Sequence, residues 1–358
     1  MQLAFYAPMK PPDHPVPSGD RAMARGLIAA LERMGAAVTL ASRLRSRDGA
    51  GDGAVQADLA RAADAEIAGL IPQGRAQGWR GWITYHNYYK VPDLIGPAVA
   101  RALDIPYLQV ESSRARSRLT GPWAAFAAAA EAASDAAAAI FYVTDRDAET
   151  LRRDAPEGQR LIRLRPFLMR DDLPPAAAGT GPILSVGMMR AGDKLASYRI
   201  IARTLAALPP DSWSIELAGD GPARSEVAAL MAPLRGKVRF LGALDATQMA
   251  AAYARAGVFF WPGVNEAFGL VFLEAQAAGL AVVAQDRPGL REVLAPGRHP
   301  VPEEGVAPLA DRLRLLQQSR AARTQAGAQA RAHVAAHHLL PQAAETLARG
   351  LADAGVTA

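Results

Sequence analysis

Short apolar runs alternate with amphipathic helical patterns along almost the whole chain, and that alternation admits few folds. Runs that read as buried strands stand near residues 3–7, 37–42, 81–86, 107–111, 138–144 and 161–165, with helical patterns between them, for example at 21–34 and 92–103. A buried strand followed by a crossover helix is a βαβ unit, whose strands pair in parallel under helices. The pattern breaks at Pro174-Pro175-Ala176-Ala177-Ala178-Gly179-Thr180-Gly181-Pro182, which reads as an interdomain linker. It restarts at 183–187, 214–218, 237–241, 258–261 and 281–284, and from about residue 305 only helices follow. Two parallel α/β domains are expected, over 1–174 and 182–340, and 358 residues suffice for two cores.

Within the second half, Asn265-Glu266-Ala267-Phe268-Gly269-Leu270-Val271-Phe272-Leu273-Glu274 follows an apolar strand closed by Pro262-Gly263. A helix is expected from about 268 to 278, ending at Gly279. Two carboxylates therefore bracket a helix N-terminus at the carboxyl end of a parallel strand, where open α/β sheets bind ligands. A helix N-terminus attracts phosphate. Glu266 and Glu274 are eight positions apart, about 12 Å at helical rise, so one can reach a ribose while the other faces a sugar.

This Glu, seven residues, Glu pattern resembles the signature of retaining glycosyltransferases of the GT-B fold, especially the large family 4. Gly219-Asp220-Gly221-Pro222, Val238-Arg239-Phe240-Leu241-Gly242 and Gly289-Leu290-Arg291-Glu292 stand in that family's order and approximate spacing. The resemblance covers about residues 182–294. It implies two Rossmann-like doubly wound domains facing across a cleft, with the last helix, about 341–356, packing back on the first.

For the donor, a UDP- or GDP-linked sugar acting as substrate, the resemblance implies specific contacts. Glu274 would accept from the ribose hydroxyls, and the amides of Phe268, Gly269 and Leu270 would cap the distal phosphate. Glu266 would orient the transferred sugar. The family's Gly-Arg pair and later Lys correspond to Gly187-Met188-Met189-Arg190-Ala191-Gly192-Asp193-Lys194, where Lys194 matches and Met188 replaces the Arg. Arg190 is the candidate to supply the missing guanidinium. No metal or other cofactor is implied.

On the first domain, Pro17-Ser18-Gly19-Asp20-Arg21 stands where family members carry a Gly-rich turn, with Gly19 approaching the diphosphate. Ser18 or Asp20 reads equally as a helix N-cap. His86 matches a strand-ending His, and Glu111 occupies the position of a second, sugar-contacting one. The function implied is transfer of a sugar to a glycan, lipid-linked or small-molecule acceptor. A sugar-nucleotide epimerase of related fold and a catalytically idle nucleotide-sugar-binding protein are the alternatives.

Composition removes other classes. There is no cysteine, hence no disulfide or thiolate site. The net charge of +5 comes without an aromatic-interleaved basic stripe, so no nucleic-acid partner is expected. The first residues read as a strand and not a signal peptide, and 121–141 carries Glu131 and Asp135, so a cytoplasmic protein is expected, with peripheral contact at the inner membrane face. Arg43-Leu44-Arg45-Ser46-Arg47 and Arg114-Ala115-Arg116-Ser117-Arg118 read either as solvated loops or as a surface for an anionic acceptor or lipid headgroups. Asp145-Arg146-Asp147 is better explained as helix capping with Thr144 than as a metal motif, and His333 and His337 as a solvated helix face.

Overall fold

The computed structural model describes residues 1–16, 18–209, 212–234 and 237–356. Two compact units result: Met1–Met169 with Leu340–Ala358, and Arg170–Leu339.

The first unit alternates strand and helix: β1 (Gln2–Tyr6), α1 (Gly19–Arg33), β2 (Ala37–Ser42), α2 (Gly53–Gln77), β3 (Gly81–Asn87), α3 (Gly96–Leu103), β4 (Tyr107–Ser112), α4 (Ala124–Ala136), β5 (Ala139–Tyr142), α5 (Asp145–Asp154) and β6 (Arg160–Arg163). All pairings are parallel, in the order β2-β1-β3-β4-β5-β6. Every residue of β3 is buried, as a central strand covered on both faces requires.

A polar knot inside this core decides where α3 begins. Asp93 is buried and accepts from Thr84 Oγ1 (2.5 Å), the Tyr107 hydroxyl (2.8 Å) and the amides of Ile95 (2.9 Å) and Gly96 (2.7 Å). The helix expected from residue 92 therefore starts at Gly96, because the preceding residues form the buried cap. Any side chain at Gly96 would overlap Asp93 and Trp82.

The second unit contains β7 (Ile183–Val186), α6 (Asp193–Ala206), β8 (Ile215–Ala218), α7 (Arg224–Met231), β9 (Val238–Gly242), α8 (Ala246–Arg255), β10 (Val258–Phe260), α9 (Leu270–Ala277), β11 (Ala281–Val283), α10 (Ala307–Gln318) and α11 (Arg320–His337). Its sheet is also parallel, ordered β11-β10-β7-β8-β9. The last helix, α12 (Leu340–Asp353), joins the first unit, where Gly350 lets it press on Phe141 and Ile162. Among the described residues no helix is long and apolar enough to cross a membrane.

One of the basic runs is partly structural. Arg114 has a fully buried side chain and donates to Glu131 (2.8 Å) and Asp135 (2.7 Å), tying the segment after β4 to α4. It is neither solvated nor open to a partner. Replacing Arg114 with Ala strands the Glu131 carboxylate, and urea unfolding is expected to show a loss of about 3 kcal/mol.

Candidate functional site

In each sheet the chain begins on an interior strand and builds outward in both directions. The reversal falls between β1 and β3 in the first unit and between β7 and β10 in the second. Loops leaving such neighbouring carboxyl ends part from each other and open a crevice.

At the second unit's reversal point, glycines fuse the loops into one body. A side chain at Gly219 would overlap the Gly187 carbonyl, and one at Gly221 the Met189 carbonyl. Both glycines have positive φ, 135° and 150°, and Met189 N donates to Asp220 O at 2.9 Å. A side chain at Gly289 would overlap the carbonyls of Glu266 and Ala267. Gly219-Asp220-Gly221, Gly187–Met189, the Glu266 loop and Gly289-Leu290-Arg291-Glu292 thus pack backbone against backbone.

Lys194 and Glu266 meet on this platform. Lys194 sits in the first turn of α6, and its Nζ pairs with Glu266 Oε1. The same oxygen accepts from Trp261 Nε1 at 2.9 Å, and Lys194 Nζ lies 5.5 Å from the Trp261 ring centre. Asn265, with φ of 50°, donates to Asp193 Oδ2 at 2.9 Å, and Val264 N donates to Ser197 Oγ at 3.1 Å. The signature loop is therefore bound to the start of α6 by one ion pair and two hydrogen bonds. Arg190 and Met188 are exposed on the neighbouring turn.

Helix α9 starts at Leu270, two residues later than expected, because Gly269 has φ of 76° and stands outside it as the N-cap. Phe268 is buried, while Gly269 and Leu270 are half-buried at the helix start, where the leading amides precede the intrahelical ladder. One turn on, Glu274 Oε2 accepts from the Tyr253 hydroxyl at 2.8 Å. Burial raises the pKa of Glu274, and the Tyr253 hydrogen bond opposes the rise. Glu266 and Glu274 thus stand on either side of the α9 N-terminus, each with one oxygen already held by an aromatic side chain.

Three neighbours escaped the sequence reading. Trp261 ended an apolar strand and looked like core, although a buried indole N–H demands an acceptor. Tyr253 gave no signal on a short helix. Arg287 lies on the loop after β11, held by Gln285 at 2.7 Å and near enough to Asp193 to feel its charge.

In the first unit, His86 and Glu111 are the penultimate residues of β3 and β4, and their φ values of 75° and 55° are left-handed and costly for side chains that are not glycine. His86 is buried, with Nε2 3.8 Å from Asp20 Oδ1. Among the described residues, His86 Nε2 is buried without a hydrogen-bond partner, and the buried Tyr85 hydroxyl interacts with the Glu111 carboxyl. Burial drives the His86 pKa down to about 4, with Asp20 opposing. Burial, reinforced by the charges of Asp147 and Asp20, drives Glu111 up to about 8. A neutral imidazole and a protonated carboxyl therefore stand together at neutral pH.

Gly19 opens α1 with nothing within 4 Å of where a side chain would start, and Ser18 is the N-cap, accepting from Arg21 N at 3.3 Å. Pro17 lies outside the described residues. Thr144 caps α5, accepting from Asp147 N at 3.1 Å. His333 and His337 do not simply face solvent: their rings, 5.3 Å apart, both contact buried His338.

Two doubly wound parallel sheets with crevices at their reversal points define a GT-B architecture. Sucrose-phosphate synthase from Thermosynechococcus elongatus matches with a TM-score of 0.71 at 19% identity, over 97% of each chain. HepE of Anabaena, solved in complex with UDP-glucose, matches at 0.67 and 16% identity, over 98% of this chain and 99% of that one. Residues 182–319, which hold every loop of the second unit's site, match the family model described as Glycosyl transferases group 1. A stretch of 104 residues is 41% identical to phosphatidyl-myo-inositol mannosyltransferase of Mycolicibacterium smegmatis, covering 27% of this chain and 26% of that protein. Another of 105 residues is 32% identical to GDP-mannose-dependent alpha-mannosyltransferase of the same organism, covering 29% and 27%. The matched stretches span about a quarter of the length of these curated relatives.

The Glu111 shift makes stability depend on pH. Between about 4.5 and 8 the folded protein keeps a proton that the unfolded chain has released, so stability falls as pH rises through that window. Buried neutral His86 acts oppositely, and only between about 4 and 6.5. Thermal unfolding of Glu111→Gln between pH 6.5 and 8 is therefore expected to lack the decline seen in the parent protein.

Proposed function

We propose that the protein is a retaining glycosyltransferase that moves a sugar from a nucleotide diphosphate donor, UDP- or GDP-linked, to a glycan, lipid-linked or small-molecule acceptor. The observation that carries this reading is the Lys194–Glu266 pair at the starts of α6 and α9, with Glu274 one turn further on. The mannosyltransferase names of the partial relatives support it, as does the UDP-glucose complex of a protein of the same fold.

In this reading the donor diphosphate takes Lys194 from Glu266. The phosphates lie on the amides of Phe268, Gly269 and Leu270, where the helix dipole favours negative charge, with Arg190 adding a cation. Glu266, released from Lys194 but still held by Trp261, turns its carboxylate to the sugar hydroxyls. Glu274 keeps one oxygen on Tyr253 and offers the other to the ribose.

The acceptor hydroxyl attacks the anomeric carbon from the face the leaving phosphate vacates. The bond to the phosphate oxygen breaks with its electron pair, and the acceptor proton passes to that oxygen. Lys194, Arg190 and the helix dipole stabilise the growing charge, so the reading needs no metal. On the first unit, Gly19 serves the diphosphate, and His86 and protonated Glu111 the sugar and acceptor side, Glu111 as a donor to a sugar hydroxyl.

Thermal-shift titration with nucleoside diphosphates tests the donor site. Replacing Glu274 with Ala is expected to weaken binding by about 2 kcal/mol, and Tyr253→Phe by about 1 kcal/mol. Wild-type affinity in Glu274→Ala would remove the ribose assignment. Glu266→Ala is expected to lower turnover far more than donor affinity; the reverse would take Glu266 away from the reacting sugar. Proton NMR of the product settles retention through its anomeric coupling.

A further inference from the structure

The loops that follow β2, β3 and β4 are bolted together beside the first unit's reversal point. Asp48 N donates to Lys90 O at 3.0 Å, Ser46 Oγ to Pro92 O at 2.6 Å, and Trp123 Nε1 to Asp48 O at 3.4 Å. Gln56 Nε2 spans Asp48 Oδ2 (2.8 Å) and Pro122 O (3.0 Å). Gly51, with φ of 78°, sits so close to Pro122 that a side chain there would overlap it.

Two aromatic rings and two cations stand on this body. Tyr89 and Trp123 meet edge to face with centroids 5.7 Å apart. Lys90 Nζ lies 5.6 Å and 5.1 Å from the two ring centres, and the Arg118 guanidinium carbon 5.2 Å and 5.8 Å.

These cations lack the counter-charge that several basic groups nearby possess. Arg114 is neutralised by Glu131 and Asp135, Arg43 by Asp13, and Arg116 lies 3.6 Å from Asp154. Among the described residues, neither Lys90 nor Arg118 has a carboxylate partner, and neither does Arg47, which is exposed and near Tyr88. A ring holds a cation through its quadrupole without cancelling the charge. Two cations brought to the same pair of rings repel each other, and an anion between them relieves that repulsion.

We propose that Lys90 and Arg118, held over Tyr89 and Trp123, form a subsite for the phosphate or carboxylate of an anionic sugar acceptor, presented free or as a lipid headgroup. Calling the ligand an acceptor rests on the transferase reading; the anion site itself does not. Arg47 extends the positive rim. The two runs of arginine divide accordingly: Arg114 belongs to the scaffold and Arg43 is neutralised at the surface, whereas Arg118 and Arg47 are left for the ligand.

The experiment compares the full chain with Lys90→Gln, Arg118→Gln and the double variant, using two probes. Calorimetry measures glucose 6-phosphate against glucose, and sedimentation measures phosphatidylcholine vesicles with and without phosphatidylglycerol. Arg80→Gln makes the same charge change at the opposite end of the sheet and serves as control. Lys90→Arg with Arg118→Lys keeps the charges and is expected to restore binding, which separates charge from folding.

The expected result is a preference for the anionic member of at least one pair that drops at least about tenfold in the double variant, as loss of charge-assisted contacts requires. Loss with glucose 6-phosphate identifies a soluble anion as the source, and loss with vesicles alone a membrane headgroup. Equal behaviour of parent and double variant with both probes, or no anionic preference in the parent, overturns the subsite. Nucleoside diphosphate binding is read separately on the second unit, so its failure would sink the donor reading while leaving this result standing.

Discussion

A parallel sheet that starts on an interior strand must reverse its direction of growth, and at the reversal two neighbouring loops part. Both units obey this constraint, between β1 and β3 and between β7 and β10. The features that cost the fold something gather there. Of the four non-glycine residues with positive φ among those described, His86 and Asn265 lie at these carboxyl ends, Glu111 lies near the end of neighbouring β4, and Asp104 serves elsewhere, as the C-cap of α3. Strain of about 1–3 kcal/mol per residue persists only where the surroundings over-determine the backbone. Fully buried β3 on one side and the glycine-fused loops on the other provide that constraint.

Charge is handled differently in scaffold and site. Arg114 is closed off, its guanidinium out of solvent and both its partners on α4. Lys194 and Glu266 are also paired, but Lys194, at the start of α6, keeps 30% of its side-chain surface exposed, and Glu266 lies on the loop before α9. The first arrangement locks two elements together. The second leaves the pair partly open to solvent. Glu111 follows a third course: burial and two neighbouring acids, Asp147 and Asp20, push its pKa up.

The layers and the strand-helix alternation were legible because buried parallel strands are unbroken apolar runs. The placement of Glu266 and Glu274 about a helix start was legible from spacing. The start itself was misplaced by two residues, since nothing local told that Gly269 would adopt a left-handed backbone. Lys194 was visible as a cation after a strand, but its pairing with Glu266 joins residues 72 positions apart. Distance also hid Tyr253, 21 positions from Glu274, whereas Trp261, only five from Glu266, was hidden because it closes an apolar strand. The arginine runs looked alike in sequence, and only tertiary contacts separate neutralised Arg114 from Arg118 on its ring pair.

The glycines at 219, 221 and 289 press one loop's main chain on another's, leaving no side chain between them. Loops joined in this way share one frame whose shape does not depend on the residues displayed at its edge. Met188 and Arg190 stand at that edge, exposed on the turn beside Lys194. Drift can therefore rewrite the rim, exchanging a thioether for a guanidinium or the reverse, without moving the amides beneath. Specificity and architecture thus become separable variables in this chain, and the first can wander while the second stays fixed.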